Sequence, residues 1–190
     1  MENCYLIVGQ SGSGKTTIVN TLEVKYGLKS IQSYTTRPKR SDGETGHIFI
    51  SDEEYDKLEN IVACTEFCGY RYCATAKQID ENDLYVIDPD GVESLKTLYK
   101  GDKQFKIIYI KSDITTRYER MRLRSQQSGK KYLEAVEESL SRVVNDSEKF
   151  YKYEHNETPI DLLVINNSWD NNLAPIADKV YSFIQNCEKE

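Results

Sequence analysis

Histidine is nearly missing from this 190-residue chain, which carries only His47 and His155. Neither completes a pair with a cysteine at metal-ligand spacing, so a zinc site is not expected. A long hydrophobic run is missing too. The apolar stretch nearest the start, Tyr5–Val8, is too short for a secretory or membrane segment. There is no surplus of positive charge: 25 Lys and Arg face 31 Asp and Glu, a net charge of −6. Non-specific nucleic-acid binding needs a broad basic surface, and this balance argues against it. The cysteines (Cys4, Cys64, Cys68, Cys73 and Cys187) are odd in number, which points to reduced thiols in a cytoplasmic protein. Cys64-x3-Cys68-x4-Cys73 does not have zinc-knuckle spacing, and these thiols are expected to be buried. Internal repeats and low-complexity segments are also lacking.

What is there reads as one α/β domain over residues 1–190. Cys4–Gly9 (CYLIVG) is a continuous apolar run, the mark of a strand buried on both faces. Leu84–Asp88, Phe105–Ile110 and Leu162–Ile165 read as further core strands. Helical spacing follows at Thr17–Tyr26, with Ile18, Val19, Leu22 and Val24 as its apolar face and Gly27 as its stop. Further helices are expected at Val92–Tyr99, about Asp113–Arg124 with Ser112 as its cap, about Lys131–Tyr151, and Leu173–Asn186. Strand alternating with helix implies a mostly parallel sheet covered on both faces. The polar stretch 33–80 differs. It offers two short strands, Ile48–Ser51 and Ile61–Phe67, and reads as an inserted lobe.

Between the first strand and helix stands Gly9-Gln-Ser-Gly-Ser-Gly-Lys15-Thr16, which fits G-x-x-x-x-G-K-[ST]. Its glycines let successive N–H groups turn inward as a nest for the phosphates of a nucleoside triphosphate. The candidate phosphate-binding residues are Gly9, Ser11, Gly12, Ser13, Gly14, Lys15, Thr16 and Thr17. Lys15 supplies a mobile cation, and the Thr16 hydroxyl can ligate the Mg²⁺ carried with ATP. A second anion site is expected at residues 33–40, SYTTRPKR. Arg37 and Arg40 can grip a phosphate bidentately, and Ser33 and Tyr34 can donate from hydroxyls. A monophosphate suits that site, which favours a kinase over a hydrolytic switch.

SYTTRPKR, then GETGHIF (43–49), GYRY (69–72) and VIDPDGV (86–92), stand in an order and spacing that resemble the guanylate kinases over nearly the whole chain. The resemblance implies a P-loop kinase fold of three layers, with the core at 1–32, 83–124 and 143–190. It implies a nucleoside-monophosphate lobe at 33–82 and a helical lid at 125–142. The reaction it implies is ATP plus GMP giving ADP plus GDP. Ser33, Arg37, Arg40 and Tyr72 would hold the acceptor phosphate, and Asp88 would meet the guanine edge. Asp88 also ends a core strand, where ligands of open α/β sheets sit. The register departs from the family at three contact positions, placing Ala63, Ala74 and His47 where it has Glu, Ser or Thr, and Tyr. These departures weaken the assignment to GMP more than the assignment to a kinase.

Arg117, Arg120 and Arg124 recur at helical spacing on one face. The following helix presents Leu133, Val136, Leu140 and Val143 as its apolar face, with Arg142 turned away from it. By resemblance, Arg120, Arg124 and Arg142 are the lid arginines that join Lys15 in neutralising the transferring phosphate. Asn166-Asn167 follows the last core strand, where an adenine contact and a plain turn are both open. Three rival readings also remain at this stage: a kinase of another small phosphate such as a ribose bisphosphate, a non-catalytic guanylate-kinase-like binding module, and a bare ATPase switch.

Overall fold

Residues Asn3–Val8 form strand β1, and every one of them is buried. A strand covered on both faces has no wet side to make polar, hence the continuous apolar run. β1 lies inside a parallel sheet of order β6-β1-β7-β8, where β6 is Leu84–Val86, β7 is Gln104–Lys111 and β8 is Leu162–Ile165. Its register runs from Tyr5↔Leu84 to Ile7↔Val86 on one side and from Asn3↔Gln104 to Val8↔Tyr109 on the other. A bridge between Ser30 and Leu84 continues the sheet past β6. The computed structural model describes residues 1–39, 42–67, 69–168 and 173–189.

Parallel strands need long crossovers, and helices supply them. These are α1 (Lys15–Tyr26), α4 (Pro89–Leu98), α5 (Ile114–Gln127), α6 (Tyr132–Lys149), α7 (Tyr151–Glu154) and α8 (Ala174–Cys187). Alternate residues of β1 feed two cores. Tyr5 and Ile7 join Ile18 and Leu22 of α1 and Val180 and Ile184 of α8. Cys4, Leu6 and Val8 join Val92 and Leu95 of α4, Phe150 and Tyr153. Each such fully buried aliphatic side chain contributes about 1.5–3 kcal/mol. The result is the three-layer α/β fold expected from sequence. No helix among the described residues is long and apolar enough to cross a membrane.

A second sheet, of order β3-β2-β5-β4, is built from β2 (Ser33–Thr35), β3 (His47–Phe49), β4 (Ile61–Phe67) and β5 (Tyr70–Thr75). β2 and β3 run parallel, and the other pairs are antiparallel. Val62, Ala63 and Ala74 of this sheet belong to the same apolar cluster as Leu6 and Val92, so it is seated on α4 and the main core. Two short helices, α2 (Asp52–Tyr55) and α3 (Ala76–Glu81), each begin with a capping box, Ser51 with Glu54 and Thr75 with Gln78.

Several expectations are corrected. The expected cap of α5, Ser112, instead donates its hydroxyl to the Asn166 carbonyl, and Asp113 caps the helix by accepting Thr116 N–H at 2.7 Å. The expected strand Leu84–Asp88 stops at Val86, because Asp88 turns to cap α4 through Gly91 N–H at 2.8 Å. The long helix expected to reach Tyr151 ends at Lys149, and α7 follows separately. On α6 the buried face is Ala135, Ser139, Val143 and Asp146, while Leu133 and Leu140 are exposed. Small residues face inward there because α5 lies against that side. Val24 of α1 is exposed rather than apolar-facing. Cys4 and Cys73 are buried as expected, but Cys64 is exposed; Cys68 lies outside the described residues.

Candidate active site

The turn between β1 and α1 is shaped by close approach. Gly12 has φ +78°, and a Cβ there would meet the Arg117 carbonyl oxygen at 2.6 Å. Gly14 has φ +94°, and its Cβ would meet Asn166 Nδ2 at 2.5 Å. Both positions therefore exclude other residues twice over, by dihedral and by space. Gly14 precedes α1 without a side-chain cap, and no acidic residue lies in the helix's first turn. The first N–H groups of α1 and the positive end of its dipole are thus left for an anion. Asn166, 1% exposed, braces the turn by donating Nδ2–H to the Ser13 carbonyl at 2.8 Å. Asn167 accepts Asp113 N–H at 2.9 Å. Both asparagines thus serve the scaffold.

Lys15 lies back along the turn, donating to the carbonyls of Gly9 at 2.6 Å and Gln10 at 3.1 Å. Burial lowers its pKa to about 8, with Asp146 opposing and the Arg124 and Arg117 guanidinium groups adding to the fall.

Two clefts open from this turn. The first, about 650 Å³, is lined by Ser11, Gly12, Gly14, Lys15, Thr16, Thr17, Arg120, Arg124 and Arg142. It unites most of the residues expected to handle a triphosphate with all three expected lid arginines. Arg120 reaches Gly12 O at 3.1 Å and also donates to Asn166 and Ser168. Arg142 meets Glu138 at 3.2 Å. Thr16 is exposed and lines this cleft, and its hydroxyl is a hard oxygen of the kind Mg²⁺ takes. Ser13 is fully buried beneath the turn, its hydroxyl without a partner among the described residues.

The second cleft, about 220 Å³, is lined by Gly9, Ser11, Lys15, Ser33, Ala63, Thr65, Tyr72, Asp88, Asp146 and Lys149, among others. Ser11 and Lys15 belong to both clefts and form their seam. Ser33, Tyr72 and Asp88 are brought together here as expected. Ser33 Oγ lies 2.9 Å from His47 Nδ1, and the His47 ring meets Tyr72 edge-on at 5.7 Å. Arg37 does not line this cleft. Its buried guanidinium grips Glu44 bidentately, at 2.7 and 3.2 Å, over the face of Phe49. Burial works against that charge, but Glu44 and then the Tyr72 hydroxyl outweigh it and raise the Arg37 pKa. Arg37 therefore lies near Tyr72 without lining the cleft that Tyr72 lines. Arg40 lies outside the described residues.

Two residues of this site escape the sequence reading. Asp146 accepts Ser11 N–H at 2.6 Å and meets Arg117 at 3.2 Å. Lys149 meets Asp88 at 2.5 Å. The available signal for Asp146 was an acid falling at helical spacing on the Ala135, Ser139, Val143 stripe. Arg117, grouped in the sequence with Arg120 and Arg124, is 3% exposed and serves this buried pair.

A buried strand, a glycine turn and an uncapped helix beneath a parallel sheet define the P-loop α/β class. Within that class, residues 1–183 match the guanylate kinase family model, and the chain belongs to that family. Its fold is similar to the crystal structure of guanylate kinase from Anaplasma phagocytophilum, with a TM-score of 0.56 and 16% identity over 99% of this chain and 87% of that one. No curated protein matches this chain in sequence.

Proposed function

We propose that this chain transfers the γ-phosphoryl group of ATP to a nucleoside monophosphate of the GMP class. Family membership supports the kinase class. The observation that carries the transfer is the seam: Ser11 and Lys15 face both clefts, so one cation serves donor and acceptor together. ATP occupies the larger cleft, its phosphates on the uncapped start of α1 and on Lys15. Thr16 would hold the Mg²⁺ carried with ATP, which would supply further neutralisation of charge. The acceptor phosphate sits at Ser33 and Tyr72 with Arg37 near Tyr72, and the base lies toward Asp88. An acceptor phosphate oxygen forms the new P–O bond as the bond to ADP breaks. Arg120, Arg124 and Arg142 stabilise charge on the equatorial oxygens, and closure of the 125–142 segment excludes water.

The test is ADP release with ATP, Mg²⁺ and separate acceptors: GMP, dGMP, AMP, CMP, UMP, dTMP and a ribose phosphate. Release that depends on GMP or dGMP supports the proposal, and dependence on AMP, CMP, UMP or dTMP alone assigns another nucleotide kinase. Release without acceptor assigns an ATPase, and dependence on the sugar phosphate alone assigns a different kinase.

A further inference from the structure

Asp88 does not enter the acceptor cleft as a lone carboxylate. Its Oδ1 accepts Gly91 N–H at 2.8 Å, and its Oδ2 accepts the Thr65 hydroxyl at 3.0 Å and the Lys149 ammonium at 2.5 Å. A carboxylate offers about four lone-pair sites. The one left is on Oδ1. Lys149 has three donors, of which Asp88 takes one and Asp90, at 2.7 Å, another. The one left belongs to a side chain that lines the cleft.

A guanine edge gripped by a lone carboxylate donates to both oxygens, from N1–H and from its 2-amino group. Here Oδ2 is filled, so that grip is closed. The β4 side chains that line this cleft offer no carboxylate in its place: Ala63 has no polar side-chain atom, the Thr65 hydroxyl gives its one hydrogen to Asp88 and keeps only neutral acceptor lone pairs, and Cys64 Sγ lies against Ser94 Oγ at 3.4 Å. What remains on Asp88 and Lys149 is one donor beside one acceptor. We propose that Lys149 is a specificity-determining residue: with Asp88 it reads a ring carbonyl beside a ring N–H and leaves a 2-amino group without a charged acceptor, so GMP and IMP are accepted nearly alike. The 6-oxo group accepts from Lys149, and N1–H donates to Asp88 Oδ1. This rests on the transfer proposed above.

The experiment is calorimetric titration of the full chain with GMP and with IMP, alongside turnover of each with ATP. Wild-type affinities are expected to agree within about threefold, since the amino substituent meets at most a neutral hydroxyl on β4 and such a bond contributes little net. Lys149→Met frees Oδ2 and should raise the GMP-to-IMP affinity ratio to about tenfold or more, the worth of one well-paired hydrogen bond. Lys149→Arg keeps the cation and should keep the ratio near one. A wild-type preference for GMP above tenfold, or a Lys149→Met ratio unchanged from wild type, overturns the assignment. Affinity is read without turnover. Equal binding with no phosphoryl transfer sinks the kinase reading and upholds the role of Lys149. Phosphorylation of GMP with exclusion of IMP does the reverse, and binding of neither overturns both.

Discussion

Asp146 of α6 holds the phosphate turn and a buried arginine at once: Ser11 N–H donates to it at 2.6 Å and the Arg117 guanidinium at 3.2 Å. Its side chain is 9% exposed and that of Arg117 is 4% exposed. Removing one partner of a buried pair leaves the other charge without compensation, at a cost of about 3–5 kcal/mol. Asp146→Ala should therefore lower the urea midpoint by the equivalent of that loss with an unchanged slope. Asp146→Asn keeps an acceptor for Ser11 and should cost less. A midpoint unmoved by the alanine variant would show that α6 is not tied to the turn through this residue.

Lys15 carries a prediction in pH. Its pKa of about 8 in the folded chain lies below its ordinary 10.5, with burial the largest cause. Below pH 8 both states are protonated, and the folded chain bears the full cost of a buried charge. Between pH 8 and 10.5 the unfolded chain binds more protons, so the contribution of Lys15 to stability improves as pH rises. Lys15→Met should then stabilise the protein at pH 7, on the order of 1–2 kcal/mol once discounted for the partly exposed side chain. It should also collapse kcat. Affinity for ATP should weaken as pH passes 8, because the cation that meets the phosphates is lost. A melting temperature that falls in Lys15→Met, or ATP affinity flat from pH 7 to 9.5, contradicts this.

The core was legible because its signals are local. The apolar run at β1 and the glycine turn after it each carry their own meaning, and Leu162–Ile165 matched β8 residue for residue. The misses came from tertiary context. β5 is only half buried, so Tyr70-Arg-Tyr shows no apolar alternation. Leu133 and Leu140 look like a core face, yet α6 buries Ala135 and Ser139 because only small side chains suit close helix contact. Within the site, Gly12, Lys15 and Asp88 were marked by motif. Asp146 and Lys149 were not, because each gains its role from a partner far away in the chain, Ser11 and Asp88.

Glu138 gives a test at low pH. Burial would raise its pKa, but the Ser125 hydroxyl, Lys130 and Arg142 outweigh it and hold the carboxyl down to about 2. Its contribution to stability is complete above the unfolded value of 4.5 and is lost as pH falls toward 2. Glu138→Gln should therefore be less stable than wild type at pH 6, and the gap should close on titration to pH 2. Parallel unfolding curves at both pH values would remove Glu138 from the α5–α6 contact.

Arg120 and Arg124 both line the larger cleft. Arg120 donates to Gly12 O, Asn166 and Ser168, so it shapes the turn in addition to facing the cleft. Arg124 is exposed on the same wall, where a guanidinium can follow charge on a transferring phosphoryl group. Arg120→Ala should lower both the melting temperature and kcat. Arg124→Ala should lower kcat by about 100-fold or more, since losing a transition-state donor costs about 3 kcal/mol of barrier. Pre-steady-state quench measurements distinguish this from slow product release, since the loss must appear in the transfer step itself. Full transfer rates in Arg124→Ala would place the transition-state charge on Arg142 or Lys15 instead.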